Sequence, residues 1–346
     1  MKTASLLFFA ALAAGAQTPN VSNAQFETRA VTGDAAGFLG KLVSSEAGPV
    51  WAGYAVEAQE KENSSCCWDD HASGCRLEGG AYRGDKAANQ KPVQLEGSRN
   101  LFVLFRIQNH AIGKFHPVSG SCPLDAGGLR FLWLTGVTAP ASVAFVSGQI
   151  GQAGGKGEAD SALATIAMHA GSAADEALER FTAASEPEWL REKALFWLAN
   201  SRGARGFAAV KNAALHDTSV AIREKTMFDF TLSKEPQAID ALIYFAKQDP
   251  APRVRSQALF WLAQKAGQRA SETITDAIRN DPDTEVKKKA VFGLQQLPPD
   301  QGVPLLIQVA RTSKNPEVRK QAVFWLGQSG DPRALAFFQE ILLGKS

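Results

Sequence analysis

"VRKQAVFWLGQ" (residues 318–328) is the last of five segments that recur at a single spacing. Upstream stand "LREKALFWLAN" (190–200), "IREKTMFDFTL" (222–232), "VRSQALFWLAQ" (254–264) and "VKKKAVFGLQQ" (286–296), each beginning 32 residues after the one before. Five copies in one register identify an internal repeat, and a repeat of this length is a structural unit that buries its apolar face only by stacking on its neighbours. In the last copy Val318, Ala322, Trp325 and Leu326 lie at i, i+4, i+7 and i+8, which is the apolar stripe of one helix. At 100° per residue these side chains fall within about 80° of Val318, whereas Phe324 lies near 240°. That places Phe324 among Lys320, Gly327 and Gln328. The same off-stripe position holds Phe196, Phe228, Phe260 and Phe292, so the column belongs to the repeat and not to one helix.

A second apolar stretch runs between these segments at the same period: "AAVKNAAL" (208–215), "DALIYFAK" (240–247), "ETITDAIR" (272–279), "PLLIQVAR" (304–311) and "AFFQEILL" (336–343). Each unit is therefore two helices. Asp249-Pro250, Asp281-Pro282 and Asn315-Pro316 break the chain between helices, as do Pro236, Pro298-Pro299 and Gly330-Asp331-Pro332. Upstream, "DSALATIAMHAG" (160–171) aligns weakly with the repeat, and "EALERF" (176–181) supplies the next first helix. "APASVAFVSGQI" (139–150), with Thr138 as N-cap and Pro140 in the first turn, opens the series. The expected architecture is an all-α solenoid of about six helix pairs over 138–346, preceded by a small α+β or β-rich domain over 17–137.

The units resemble HEAT repeats of the short bacterial type, including those of phycocyanobilin-lyase-like proteins. The resemblance covers roughly residues 139–346. It rests on an Asp in the inter-helix turn followed by an aliphatic and a basic residue: Asp217 with Ile222-Arg223, Asp249 with Val254-Arg255, and Asp281 with Val286-Lys287. It implies that these groups form a ladder between adjacent units. It also implies that the second helix of each pair lines the concave side. The pattern departs at Ser313 before Val318-Arg319 and at Ser185 before Leu190-Arg191. A shared scaffold transfers no chemistry. Some HEAT-repeat enzymes bind iron through His-Glu pairs, and no His-Glu dipeptide occurs in this sequence.

The Phe column has two readings at this stage. It packs between units, or it is a binding stripe flanked by Lys193, Lys225 and Lys289 that receives an extended peptide or an apolar partner surface. With 37 basic against 35 acidic residues and a net charge of +2, the 346-residue chain presents no field suited to nucleic acid.

The start, "MKTASLLFFAALAAGAQ", has a positive residue, a short apolar run and a small-residue Ala14-Gly15-Ala16 site. It reads as an export signal over 1–16, with a periplasmic or extracellular mature chain and no membrane span. Export makes disulfides the expected state of Cys66, Cys67, Cys75 and Cys122. Adjacent Cys66 and Cys67 each pair elsewhere, one with Cys75 and one with Cys122. The alternatives for "SSCCWDDHASGC" (64–75) are a metal site at Cys66, Cys67, His71 and Cys75, or redox-active thiols.

Between the signal and the repeats, "GDAAGFLGKLVSS" (33–45) reads as a short helix. "PVWAGYAV" (49–56), "NLFVLFRIQ" (100–108), "GKFHPVS" (113–119) and "RFLWLTG" (130–136) read as strands, and "RLEGG" (76–80) and "QLEGS" (94–98) as strand-to-turn units. No Gly-x-Ser-x-Gly, phosphate-cradling glycine loop or His-Glu-x-x-His is present. The sequence therefore points to an exported, non-catalytic scaffold without cofactor that binds another protein or a peptide. A metal or redox protein and a structural spacer of a cell-envelope assembly stand as alternatives.

Overall fold

The computed structural model describes residues 18–60, 65–67, 74–82, 98–151 and 156–344. The export segment, His71 and most of "QLEGS" lie outside these residues. The chain divides into two compact units, one ending at Ala177 and the other beginning at Leu178.

The first unit contains β1 (Val21–Ser22), β2 (Gln25–Ala30), α1 (Ala35–Ser45), β3 (Val50–Glu57), β4 (Gly74–Arg76), β5 (Gly80–Tyr82), β6 (Asn100–Gln108), β7 (Ala111–Ser119), β8 (Leu124–Asp125), β9 (Arg130–Thr135), α2 (Ala139–Ile150) and α3 (Lys156–Met168). The larger sheet has the order β2-β9-β3-β6-β7. β2 and β3 both run parallel to β9, while β6 is antiparallel to β3 and to β7. The smaller sheet has the order β1-β8-β4-β5. "RLEGG" is the turn region of the β4–β5 hairpin. β6 is a continuous apolar run because the sheet is covered on both sides. Leu101 to Phe105 are all fully buried. Phe102 and Leu104 pack with Trp51, Phe131, Trp133 and three of the cysteines. Phe105, on the other face, meets Phe115 and also Phe145 of α2.

These contacts explain where the units divide. From α2 at Ala139 onward the elements are helices, but α2 and α3 pack on the sheet and join the first unit. Tyr54 of β3 donates to Ser142 Oγ of α2 (2.7 Å), which donates to His169 Nε2 (2.7 Å), whose Nδ1–H donates to the Thr165 carbonyl (2.7 Å). Tyr54, Ser142 and His169 are all fully buried. Burial pushes the Tyr54 phenol well above its ordinary pKa. The Ser–His pair is closed to solvent and ties α2 and α3 to the sheet.

Cys66 is bonded to Cys122 and Cys67 to Cys75. Cys66, Cys75 and Cys122 are buried, and Cys67 is partly exposed. The first bridge spans 56 residues and the second 8. Loop entropy alone then gives about 4 kcal/mol for the long bridge and about 2.5 kcal/mol for the short one. Urea unfolding of Cys66→Ala/Cys122→Ala, followed by near-ultraviolet circular dichroism of Trp51 and Trp133, is expected to show the larger loss.

After α4 (Ser172–Arg180), the second unit contains α5 (Glu188–Ser201), α6 (Gly203–His216), α7 (Val220–Leu232), α8 (Gln237–Gln248), α9 (Pro252–Ala266), α10 (Gln268–Asn280), α11 (Thr284–Gln295), α12 (Pro299–Thr312), α13 (Pro316–Gln328) and α14 (Pro332–Leu342). It is an α-solenoid. The five recurring segments are α5, α7, α9, α11 and α13, and each packs on the next of that row. The expected stripe is the core: Val318, Ala322 and Leu326 are buried, as are their counterparts Val254, Ala258 and Leu262. N-caps start the row helices where the sequence supplies an acceptor. Asp283 accepts from the backbone N–H groups of Glu285 and Val286, and Asn315 from those of Glu317 and Val318.

The ladder forms, with each Arg pairing forward to the Asp of the next turn. Arg191 binds Asp217, Arg223 binds Asp249 (3.0 and 3.2 Å) and Arg255 binds Asp281 (2.7 and 2.9 Å). Ser185 leaves no gap, because Arg191 reaches forward. Ser313 ends the ladder: Lys287 binds the Arg279 carbonyl (3.3 Å), and Arg319 binds the Ser313 carbonyl (2.8 Å).

Candidate functional site

The Phe column lies on the row of α5, α7, α9, α11 and α13. Phe196, Phe228, Phe260 and Phe292 are partly exposed, and Phe324 is 52% exposed. The rings pack on one another and stay partly exposed.

The packing is regular. Phe196 and Phe228 stack at 6.4 Å with 12° between their planes, and Phe260 and Phe292 at 6.1 Å with 4°. Tryptophans bridge the gaps between these pairs. Trp261 touches Phe228 (4.9 Å) and Phe260 (4.8 Å), while Trp325 touches Phe292 (5.1 Å) and Phe324 (4.9 Å). Seven rings thus form one unbroken chain across five helices. Edge-to-face and offset arrangements of this kind add roughly 0.5–1.5 kcal/mol per pair beyond burial. Trp325, placed on the core stripe by the helical wheel, is only partly buried and belongs to both surfaces.

The flanking lysines are present on the same helices. Lys193 is partly exposed, and Lys225 and Lys289 are exposed. Lys225 pairs with Glu192 at 3.2 Å, one repeat earlier. On the next turn Arg253 pairs with Glu224 at 2.7 Å. The rim is thus mixed in sign, not a basic stripe.

Between α5, α7 and α9 the face opens into a groove of about 480 Å³. Phe196, Phe228 and Trp261 wall it, and Glu192, Lys225 and Asp229 line it with charge. Asp229 was not singled out from the sequence. The signal was there: it replaces the Trp of Phe-Trp-Leu in "IREKTMFDFTL". Its side chain is only 4% exposed, and burial, with a smaller push from Glu192, raises its pKa to about 8.

The cysteine cluster differs from the thiolate set considered for metal. Cys66 and Cys75 sit in different disulfides, so the proposed quartet with His71 does not assemble as free ligands. The imidazole brought to the short disulfide is that of His116, which the sequence reading did not connect with it. His116 Nε2 lies 3.2 Å from Cys75 Sγ, and burial pulls the ring's pKa down to about 4. A neutral His packed on a buried disulfide is part of the first unit's core.

Among known proteins, HEAT repeats match residues 271–346. No curated protein sequence matches the chain. Similar solved structures include human deoxyhypusine hydroxylase in complex with glycerol, at 16% identity and TM-score 0.31, covering 58% of this chain and 89% of that one. The complex of CpcE and CpcF of phycocyanin lyase from Nostoc sp. PCC7120 is 23% identical with TM-score 0.34, covering 44% and 98%. The structure of Kap121p is 14% identical with TM-score 0.34, covering 54% and 25%. Identities and scores at this level carry none of those proteins' activities over. Among the described residues no helix is long and apolar enough to cross a membrane.

Proposed function

We propose that the chain is an exported, non-catalytic scaffold whose concave solenoid face, the row of α5 to α13, binds another protein or an extended peptide. One observation carries this reading: a chain of seven aromatic rings runs across five repeats and stays partly exposed, ending on the exposed Phe324. Solenoids present such continuous surfaces, and half-buried aromatics on a rigid base serve as anchors without a large ordering penalty. The residues of the face include no nucleophile–base pair. Export rests on the start of the sequence and fits the two disulfides.

The test is capture of partners from a cell-envelope extract by the mature chain, compared with Phe324→Asp and with Phe260→Asp/Phe292→Asp. Phe324 is exposed enough that its Asp variant keeps the fold, which circular dichroism checks. At least a tenfold loss of the specifically retained partner is expected from Phe324→Asp and a larger loss from the double variant. Unchanged retention by folded variants would overturn the reading.

A further inference from the structure

Down the five row helices, the position after the Phe reads Trp197, Asp229, Trp261, Gly293 and Trp325. At Gly293 the space is limited: a Cβ would already be in ordinary contact with Ile274 Cδ1 (3.4 Å) and Ala263 Cβ (3.6 Å), so a ring would have to displace them. Asp229 has no such account. Its carboxyl accepts no hydrogen bond and forms no ion pair with any described residue, although the side chain is 96% buried (4% exposed). A buried carboxyl without a partner is among the most unfavourable things a helix can carry.

The surroundings say what would satisfy it. Asp229 lines the groove together with the rings of Phe196, Phe228 and Trp261. The rings offer an apolar wall for the stem of a long side chain, and the carboxyl beside them offers the charge for its tip. The other charges of the groove are matched to each other or to the rim: Glu192 holds Lys225 at 3.2 Å and Glu224 holds Arg253 at 2.7 Å. Asp229 forms no ion pair with a described residue: Lys225 lies close enough to pull its pKa down slightly but is held by Glu192. We propose that this groove receives a single basic side chain, the ammonium of a lysine or the guanidinium of an arginine, from an extended segment of the bound partner. The inference rests on the peptide-binding reading for the source of that cation and names the residue type that anchors it.

The simplest probe is n-butylammonium, which carries the charge and the alkyl stem of lysine, with 1-butanol as its neutral counterpart. Amide shifts on α5, α7 and α9 are expected to report saturable binding of butylammonium and at least tenfold weaker binding of butanol. Asp229→Asn keeps the shape of the side chain and is expected to weaken butylammonium at least tenfold, leaving butanol unchanged. The charged groups facing the site are Glu192 and Lys193 of α5 and Glu224 and Lys225 of α7, with neutral Gln257 from α9. Binding needs ionised Asp229, so the affinity is expected to rise between pH 6 and pH 9 in the wild type and to stay flat in Asp229→Asn. Equal binding of the two probes, or butylammonium binding that survives Asp229→Asn, overturns the groove. Phe324 is outside the groove, and Phe324→Asp is expected to leave butylammonium binding intact. If butylammonium binds through Asp229 but no partner is lost on Phe324→Asp, the peptide-binding reading fails and the cation site stands.

Discussion

Arg255→Ala is expected to lower the stability of the solenoid by about 3–5 kcal/mol, the usual loss when one member of a buried ion pair is removed. The magnitude follows from what would be left behind. Arg255 is 7% exposed and Asp281 9%, and the guanidinium holds both carboxylate oxygens, at 2.7 and 2.9 Å. The same guanidinium donates to the carbonyl of Asp249 (2.9 Å) and to that of Pro250 (3.2 Å). Alanine leaves a buried carboxylate uncompensated and two carbonyls without their donor. The lesion also falls in the middle of the stack, where each repeat is stabilised mainly by its neighbours. Chemical denaturation followed by helical circular dichroism is the measurement. Lys287→Ala serves as comparison, because Lys287 makes a single 3.3 Å bond to a carbonyl; its loss is expected to stay below about 1 kcal/mol. Arg255→Met combined with Asp281→Asn is expected to recover about half of the deficit. The charge is gone, and Asn keeps an acceptor for the Asp283 N–H, which Asp281 now binds at 2.9 Å. Equal effects of Arg255→Ala and Lys287→Ala would show that the ladder is ornamental.

The ladder also illustrates how much of the fold the sequence made legible. A 32-residue register is visible because every repeat solves the same packing problem with the same residue types, and the apolar stripe through Val318, Ala322 and Leu326 became core as its spacing implies. The direction of the ladder was not legible. Whether an Arg pairs within its own turn or 26 residues ahead depends on how successive helices are offset, which no one-dimensional pattern contains. The attachment of α2 and α3 to the sheet was hidden for a related reason. Their helical pattern is weak, and what holds them is a chain of polar groups, Tyr54, Ser142 and His169, spread over more than a hundred residues. In the first unit the long strands β3, β6, β7 and β9 stood out by their aromatic and β-branched runs. β2, "QFETRA", did not, because it is an edge strand with mostly exposed side chains. At the candidate site the Phe column was legible as a periodicity, but the bridging role of Trp261 and Trp325 depends on which ring leans toward which neighbour. Asp229 was missed because a repeat search rewards agreement, and the informative residue is the one that breaks the pattern.

Asp229→Asn is expected to stabilise the solenoid at high pH and to leave it almost unchanged near pH 4. In the unfolded chain an Asp carboxyl titrates near 3.8, whereas in the folded protein burial raises this one to about 8. Between those values the folded state holds a proton that the unfolded state has lost. Unfolding therefore releases a proton in that window, and stability falls as pH rises, by about 1.4 kcal/mol per unit. The penalty is absent below the unfolded value and complete above the folded one. Over roughly four units it amounts to about 6 kcal/mol, all of it avoided by an amide that cannot ionise. The expected observation is a difference in melting temperature between variant and wild type that is near zero at pH 4, grows steadily to pH 8 and then levels off. A constant difference at every pH would mean that Asp229 ionises in the folded state as easily as in solution, so burial is not governing it. A protein that keeps such a residue gives up stability at neutral and alkaline pH, an ionisation penalty that Trp at the same position of α5, α9 and α13 does not carry. A cation seated in the groove reverses the balance, because it holds Asp229 ionised and removes the reason for the raised pKa. Saturating n-butylammonium is therefore expected to raise the melting temperature of the wild type most at pH 8, least at pH 4, and to leave Asp229→Asn unmoved at either.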